Sequence, residues 1–278
     1  SLRPTRAKLQ ESAMPWSIVI VGVFFALFGL MAWVWPCNAR QRRFFNSEMI
    51  DDALYWALGI LIYGDATLIL IKLAVGGDPV TLKAVTAGYG WAASLPVWAQ
   101  VLAIFVITDI AQYWIHRLLH GAALWPFHAI HHSAREVTWS TTYRIHPVNW
   151  LIYMASVAVL TRLLGFSPAA FAAMAPINLA IGAVVHANLS WTFGPFRYVI
   201  ASPVFHRWHH VMDPAVRDKN FAPTFPILDV VFGTFYMPKD RLPEAYGAEG
   251  VPANFFGQLV WPFVVIAARF GRKAAQAA

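Results

Sequence analysis

All ten histidines of this 278-residue chain fall between His116 and His210. Imidazole at that density is the material of a transition-metal site, because a neutral ring nitrogen binds zinc, copper, iron or nickel. The spacing points the same way. His116 and His120 stand four apart, so on a helix they project from one face. His128, His131 and His132 follow at i, i+3 and i+4, and His206, His209 and His210 repeat that pattern. Eight patterned imidazoles exceed the three or four ligands of a single zinc ion. With His186 and His146 as further candidates, they suit two metals at four or five nitrogens each. His186 closes an apolar stretch. His146 precedes Pro147, which holds it extended; it could be a ligand or equally a structural hydrogen-bonder.

Other metal chemistries lack their signatures. No Glu follows the first histidine of any pair, so the H-E-x-x-H protease motif is absent, as is the Glu-x-x-His pair of soluble di-iron bundles. Asp109 and Tyr113 share a helix face with His116 and His120. Asp109 is thus a candidate to receive the outer ring N–H of a liganding histidine, with an amide or arginine at an interface as the other partner it could serve. Trp125, Trp139 and Trp208 flank the clusters and could line a lipid pocket, although interface anchoring explains any one of them. Asp229, ahead of Phe232-Gly233-Thr234, is expected to fix a loop rather than to react.

The elements that position these residues are expected to be helices in a membrane. Hydrophobic residues make up 58% of the chain and charged residues 13%, with 13 Trp and 20 Phe. That is too little charge to cover a soluble core and an aromatic load suited to the headgroup level. The net charge of +7 comes from basic residues flanking apolar stretches, such as Arg40, Arg42 and Arg43, which read as topology signals facing anionic lipid. They form no run interleaved with aromatics, so nucleic-acid binding is not expected. The single cysteine, Cys37, excludes an internal disulfide framework and a cysteine-based zinc site.

Span candidates run from about 16 to 35, 53 to 75 (containing Asp65 and Lys72) and 96 to 114. A helical hairpin from about 148 to 185 turns at Gly165-Phe166-Ser167-Pro168. The first stretch is too long for a signal-peptide core and no small-x-small cleavage site follows it. The basic Arg40–Arg43 loop places that side in the cytoplasm, and counting spans delivers both His116 and His186 there. Arg3, Arg6 and Lys8 then fall outside, against the positive-inside tendency. Segments 115–147 and 186–245 are too polar to cross and should fold together as a cap. The apolar stretch 251–268, broken by Pro262, is expected to lie along the interface. The reading is an all-α, single-domain integral-membrane bundle over 1–278, with a histidine-rich helical cap and a catalytic region of about 100–238.

The three histidine clusters, in this order and with these gaps, resemble the fatty acid hydroxylase/sterol desaturase superfamily of integral-membrane non-haem di-iron enzymes. The surrounding text carries the likeness further: Asp109-x-x-x-Tyr113-x-x-His116-Arg117, Ser133 after the second cluster, Arg144-x-His146-Pro147, His186-x-Asn188-Leu189, Asn220-Phe221 and Leu228-Asp229-x-x-Phe232-Gly233-Thr234. One departure concerns substrate. Many sterol-acting relatives carry Glu three residues after the intermediate histidine, whereas here Val148 and Asn149 follow Pro147. The local text looks closer to alkylglycerol monooxygenase-like and bacterial lipid hydroxylase branches.

The resemblance implies two iron ions held by the histidines, with Asp109, Tyr113 and Asn188 behind them. It implies O2 activation and hydroxylation or desaturation of a C–H bond in an acyl lipid, carotenoid or sterol-like terpenoid. Electrons would come from a separate reductase, ferredoxin or cytochrome, since the chain shows no Gly-rich dinucleotide fingerprint and no cysteines for an iron–sulfur cluster. The rival readings are a membrane metal transporter or metal-binding protein, a bis-histidine haem protein and an inactive scaffold. A transporter would place its ionisable groups at mid-membrane along a path, and haem would need histidines facing each other within spans.

Overall fold

The structure, a computed structural model, describes residues 22–277. Twelve helices are described: α1 (Gly22–Val34), then α2 (Glu48–Ala74), α3 (Pro79–Ala87), α4 (Gly90–Ser94), α5 (Val97–Leu119), α6 (Trp125–His132), α7 (Pro147–Trp150), α8 (Ser156–Leu163), α9 (Pro168–His186), α10 (Pro203–His209), α11 (Ile227–Val231) and α12 (Phe255–Ala277). A π-helical turn, Leu151–Ala155, joins α7 to α8. The described residues contain no strand, only an isolated bridge between Val211 and Tyr246. The all-helical expectation holds.

Two helices, α5 and α9, are long and apolar enough to cross a membrane, and α2 makes a third if its two limbs, bent by 50° between Ile62 and Asp65, form one span. The expected span 96–114 is longer in fact: α5 continues through His116 and caps at His120. A helix long and apolar enough to cross a membrane therefore also carries the first histidine pair. The hairpin turns where expected. Gly165 adopts φ 88° and the Tyr89 carbonyl packs where a Cβ would stand, so only glycine fits. Ser167 then caps α9, accepting from the Ala170 N–H, ahead of Pro168 in the first turn.

Two expectations need correction or fall elsewhere. Pro262 does not break the last helix: α12 runs through it. The start of the first apolar stretch, with Arg3, Arg6 and Lys8, lies outside the described residues.

The cap is stapled to the helices by two buried arginines. Arg144 donates from Nε to Asp52 Oδ1 (2.7 Å) and from Nη2 to the Glu48 carbonyl (2.8 Å), while Ser140 donates to the other Asp52 oxygen (2.6 Å). Arg207 donates from Nη1 to the carbonyls of Val137 (2.6 Å) and His186 (3.3 Å), and from Nε to Tyr246 Oη (3.1 Å). A buried guanidinium is stable only with such complete pairing. Below the cap, Ile104, Phe166, Ala170 and Met174 pack α5 against α9, which fixes the ends of the two helices that deliver His116 and His186.

Candidate metal centre

Nine histidines converge in two groups. His116, His120, His128, His132 and His209 bring one ring nitrogen each within 4.8 Å of one another, and His131, His186, His206 and His210 do the same beside them. Helical geometry explains the membership. Each i, i+4 pair serves one group: His116 with His120, His128 with His132, and His206 with His210. The remaining member of each triplet crosses over, His131 to the four-nitrogen group and His209 to the five-nitrogen group. The triplets thus point their residues to two destinations, because positions i+3 and i+4 diverge by about 100° around a helix.

Protonation follows from the outer partners. The Nδ1 atoms of His116, His186, His131 and His209 lie against backbone carbonyls of Phe221 (2.8 Å), Gly182 (2.7 Å), Arg144 (3.2 Å) and Lys219 (2.7 Å). His128 Nδ1 faces Asn149 Oδ1 (2.7 Å), and His120 Nδ1 faces Asp218 Oδ1 (2.8 Å). These oxygens only accept, so each Nδ1 carries the proton and each Nε2 is a bare lone pair. Yet the Nε2 atoms of His116 and His128 stand 3.0 Å apart, and those of His131 and His186 stand 3.2 Å apart. Lone pairs at that distance repel unless a cation lies between them. Nitrogens on bonds of about 2.1 Å at near right angles would stand at this spacing. The donor set fits a pair of transition-metal ions.

Burial supports this state. Desolvation, with repulsion from neighbouring histidines, pushes the pKa values of His128, His131, His132, His206, His209 and His210 well below the ordinary imidazole value. Neutral rings are what metal ligation requires.

One short loop holds most of the five-nitrogen group. Asp218, Lys219 and Phe221 supply the acceptors for His120, His209 and His116. Asp218 and Asn220 adopt φ 64° and 58°, the left-handed turn that lets neighbouring carbonyls face one way. Asn220 ties the loop down through bonds to the carbonyls of Phe205 and Tyr236. Asp229 accepts from the N–H groups of Phe221 (2.8 Å) and Ala222 (2.9 Å) and from the Thr234 hydroxyl (2.6 Å). The peptide between Phe221 and Ala222 therefore receives His116 at its oxygen and presents its hydrogen to a carboxylate. Asp229 fixes a loop, as its sequence context suggests.

Other sequence candidates sit elsewhere. His146 is outside both groups: its Nδ1 accepts from the Val148 N–H (3.1 Å), capping α7, and its Nε2 contacts the Leu259 carbonyl (3.1 Å). Both ring nitrogens are engaged, which leaves none for a metal. Asp109 receives no histidine; it accepts from the Phe225 N–H (3.1 Å). Tyr113 reaches the site indirectly, with its hydroxyl bonded to Thr234 (2.9 Å). Asn188 clamps the segment after α1, accepting from the Asn38 N–H and donating to the carbonyls of Asn38 and Gln41. Of the three tryptophans, Trp125 borders the rings of His120, His128 and His132. Trp139 packs with Phe24 and Phe28, and Trp208 with Tyr236 and Arg241, away from the histidine rings. Sequence reasoning missed Asn149, Asp218 and the four carbonyls. Asn149 had a signal in its place three residues after His146, whereas a carbonyl has none.

Residues 101–234 match the family described as fatty acid hydroxylase. Over these residues, a little under half of its length, the chain is similar to that family. The matched stretch holds all nine converging histidines and their loop partners. The ornithine lipid hydroxylase OlsE of Rhizobium tropici is 32% identical over 66% of this chain and 55% of its own length. The alkylglycerol monooxygenase of Danio rerio is 33% identical over 52% of the chain and 32% of its length. The methylsterol monooxygenase 2-2 of Arabidopsis thaliana is 29% identical over 50% of the chain and 55% of its length. The chain thus spans about half or less of the length of these relatives. No solved structure matches it. These relatives share oxidation of a lipid or sterol in their names.

Proposed function

We propose that this chain is a multi-pass membrane monooxygenase, one membrane domain, that hydroxylates a C–H bond of a lipid-soluble substrate. Two irons would be held by the nine converging histidines, without His146. The observation that carries the reading is the facing of proton-free Nε2 atoms in two adjacent groups of five and four nitrogens. Held there and supplied with O2 and electrons, an iron pair would provide the oxidising power for an unactivated C–H bond.

The chain's own residues supply position, dryness and charge. The acceptor loop at 218–221 and Asn149 lock the imidazoles in one tautomer and orientation, which raises their basicity as ligands. Burial of eight of the nine histidines, with His120 partly buried, limits water at the site. Trp125, against three of the rings, offers an apolar wall to a lipid chain. Electrons are assigned to a separate reductase, ferredoxin or cytochrome. The cytoplasmic orientation gains support from Asn188, whose bonds to Asn38 and Gln41 place the basic Arg40–Arg43 segment on the histidine side. An ornithine-type or ether lipid is favoured over a sterol, since Asn149 stands where many sterol-acting relatives carry Glu.

The test is metal analysis of detergent-purified protein grown with iron, followed by mass spectrometry of lipids with and without O2. About two irons per chain and an oxygenated lipid that needs O2 are expected. Bound metal without any O2-dependent lipid change would indicate a metal-binding protein instead. Absence of metal under every loading condition would leave an inactive scaffold.

A further inference from the structure

By sequence α11 belongs to the polar half of the chain. Its side chains say otherwise. Ile227, Val230, Val231 and Phe232 turn outward, Val231 at 68% exposure and Ile227 at 48%. Four large apolar residues exposed within six positions would be costly in water, and such a patch marks a covered surface.

Its position identifies the cover. Phe225 meets Phe105 edge to face at 5.2 Å, and Phe232 stacks on Tyr113 (5.3 Å) and meets Trp114 (4.8 Å). The segment therefore lies along α5 from Phe105 to Trp114. On its outer face α5 exposes Trp98, Leu102, Val106, Ile110, Trp114 and Leu118 at four-residue intervals. At 1.5 Å per residue that stripe is about 30 Å long, the thickness of a bilayer's hydrocarbon. The segment lies between about 6 and 20 Å from its histidine end, inside the stripe's length.

The backbone is prepared for the same solvent. Lipid offers no hydrogen-bond partners, so irregular backbone survives at membrane depth only when satisfied internally. Pro223 and Pro226 have no N–H to satisfy. Phe221 and Ala222 donate to Asp229, and Phe225 donates to Asp109. Leu228, Val230, Phe232 and Thr234 donate to the carbonyls of Phe225, Pro226, Leu228 and Asp229. A carboxylate inside a span is expensive; Asp109 is there to receive this segment.

We propose that residues 225–232 re-enter the membrane beside α5 and are covered by lipid acyl chains on the histidine side. The segment carries Asp229, so the helix that anchors the His116 acceptor loop is itself immersed. The inference rests on α5 crossing the membrane and not on the reaction.

The test uses the full chain in lipid vesicles, with Cys37→Ser and one added cysteine at a time: Val231→Cys, Ile227→Cys, Ile110→Cys as the span reference and Glu249→Cys as the exposed cap reference. A wild-type elution profile and thermal unfolding in detergent verify the fold of each. A fluorophore at 231 or 227 should be quenched by acyl-chain spin-labelled lipid as at 110. A charged, membrane-impermeant maleimide should leave 231 and 227 unlabelled while it labels 249 to completion. Labelling of 231 and 227 at the rate of 249, with 110 protected, overturns re-entry alone. Labelling of 110 as well overturns it together with the spanning of α5.

Discussion

The ring of His132 stacks on that of His210, with centroids 4.5 Å apart and planes 29° from parallel, although the two point to different nitrogen groups. The two groups thus share a wall of imidazole. Sequence neighbours are split by that wall: His131 and His132 serve opposite sides of it, as do His209 and His210. Adjacent substitutions should therefore have different consequences.

His131→Ala removes one nitrogen from the four-membered group, and His132→Ala removes one from the five-membered group. The first is expected to empty its group, lowering the metal content by about one ion per chain and abolishing turnover. The second leaves four nitrogens and should retain metal, weakened by more than the about 10- to 100-fold that loss of an outer partner alone costs. Metal analysis after stepwise chelation reads both. Identical losses in the two variants would contradict the division of the triplets.

Asn149 receives the outer proton of His128 at 2.7 Å. Asn149→Leu keeps the volume and removes the acceptor, so metal retention should fall by about 10- to 100-fold without loss of the fold. Asn149→Asp replaces a neutral acceptor with a charged one, a stronger bond to the same N–H, and should restore or exceed wild-type retention. Chelator titration of the purified proteins distinguishes the two.

Asp229→Asn preserves shape but removes the charge that two amides and the Thr234 hydroxyl share. Bonds to a charged group contribute about 1.5–3 kcal/mol each, so the loop should loosen and the five-nitrogen group should lose metal first. The four-nitrogen group, held by the Arg144 and Gly182 carbonyls, should keep its ion. Absorption or Mössbauer spectra of the half-loaded protein would show one site only.

His146→Ala should leave the metal content unchanged. The ring caps α7 and holds the Leu259 carbonyl, so the expected cost is about 1 kcal/mol of stability. Thermal unfolding in detergent measures it. Loss of iron would return His146 to the ligand set.

Gly182 offers its carbonyl to His186 and lies where a Cβ would run into the Thr142 hydroxyl. Gly182→Ala should push α9 from the Trp139–Tyr143 turn and weaken metal binding in the four-nitrogen group, with an overpacking cost of about 1–3 kcal/mol. Adding Thr142→Ala removes the obstacle, and the double variant should recover most of the loss, a coupling readable in a mutant cycle.

The sequence by itself determined the imidazole donor set and the class of fold. Histidines at i, i+3 and i+4 need only a helix to come together, and apolar runs of span length need only a membrane, so local periodicity sufficed for both. The turn at Gly165-Phe166-Ser167-Pro168 was legible for the same reason: its Gly and Pro mark the break locally. Only the tertiary structure decided which histidine joins which group, because that depends on how α5, α6, α9 and α10 rotate against one another. It also removed His146, whose pairing with Leu259 spans 113 residues, and moved Asp109 and Asn188 from histidines to the backbone of distant segments. The acceptors behind the ligands are mostly carbonyls, which every residue possesses and no sequence marks. Their direction is set by two left-handed residues and one buried carboxylate, and those act only once the loop has closed over α5.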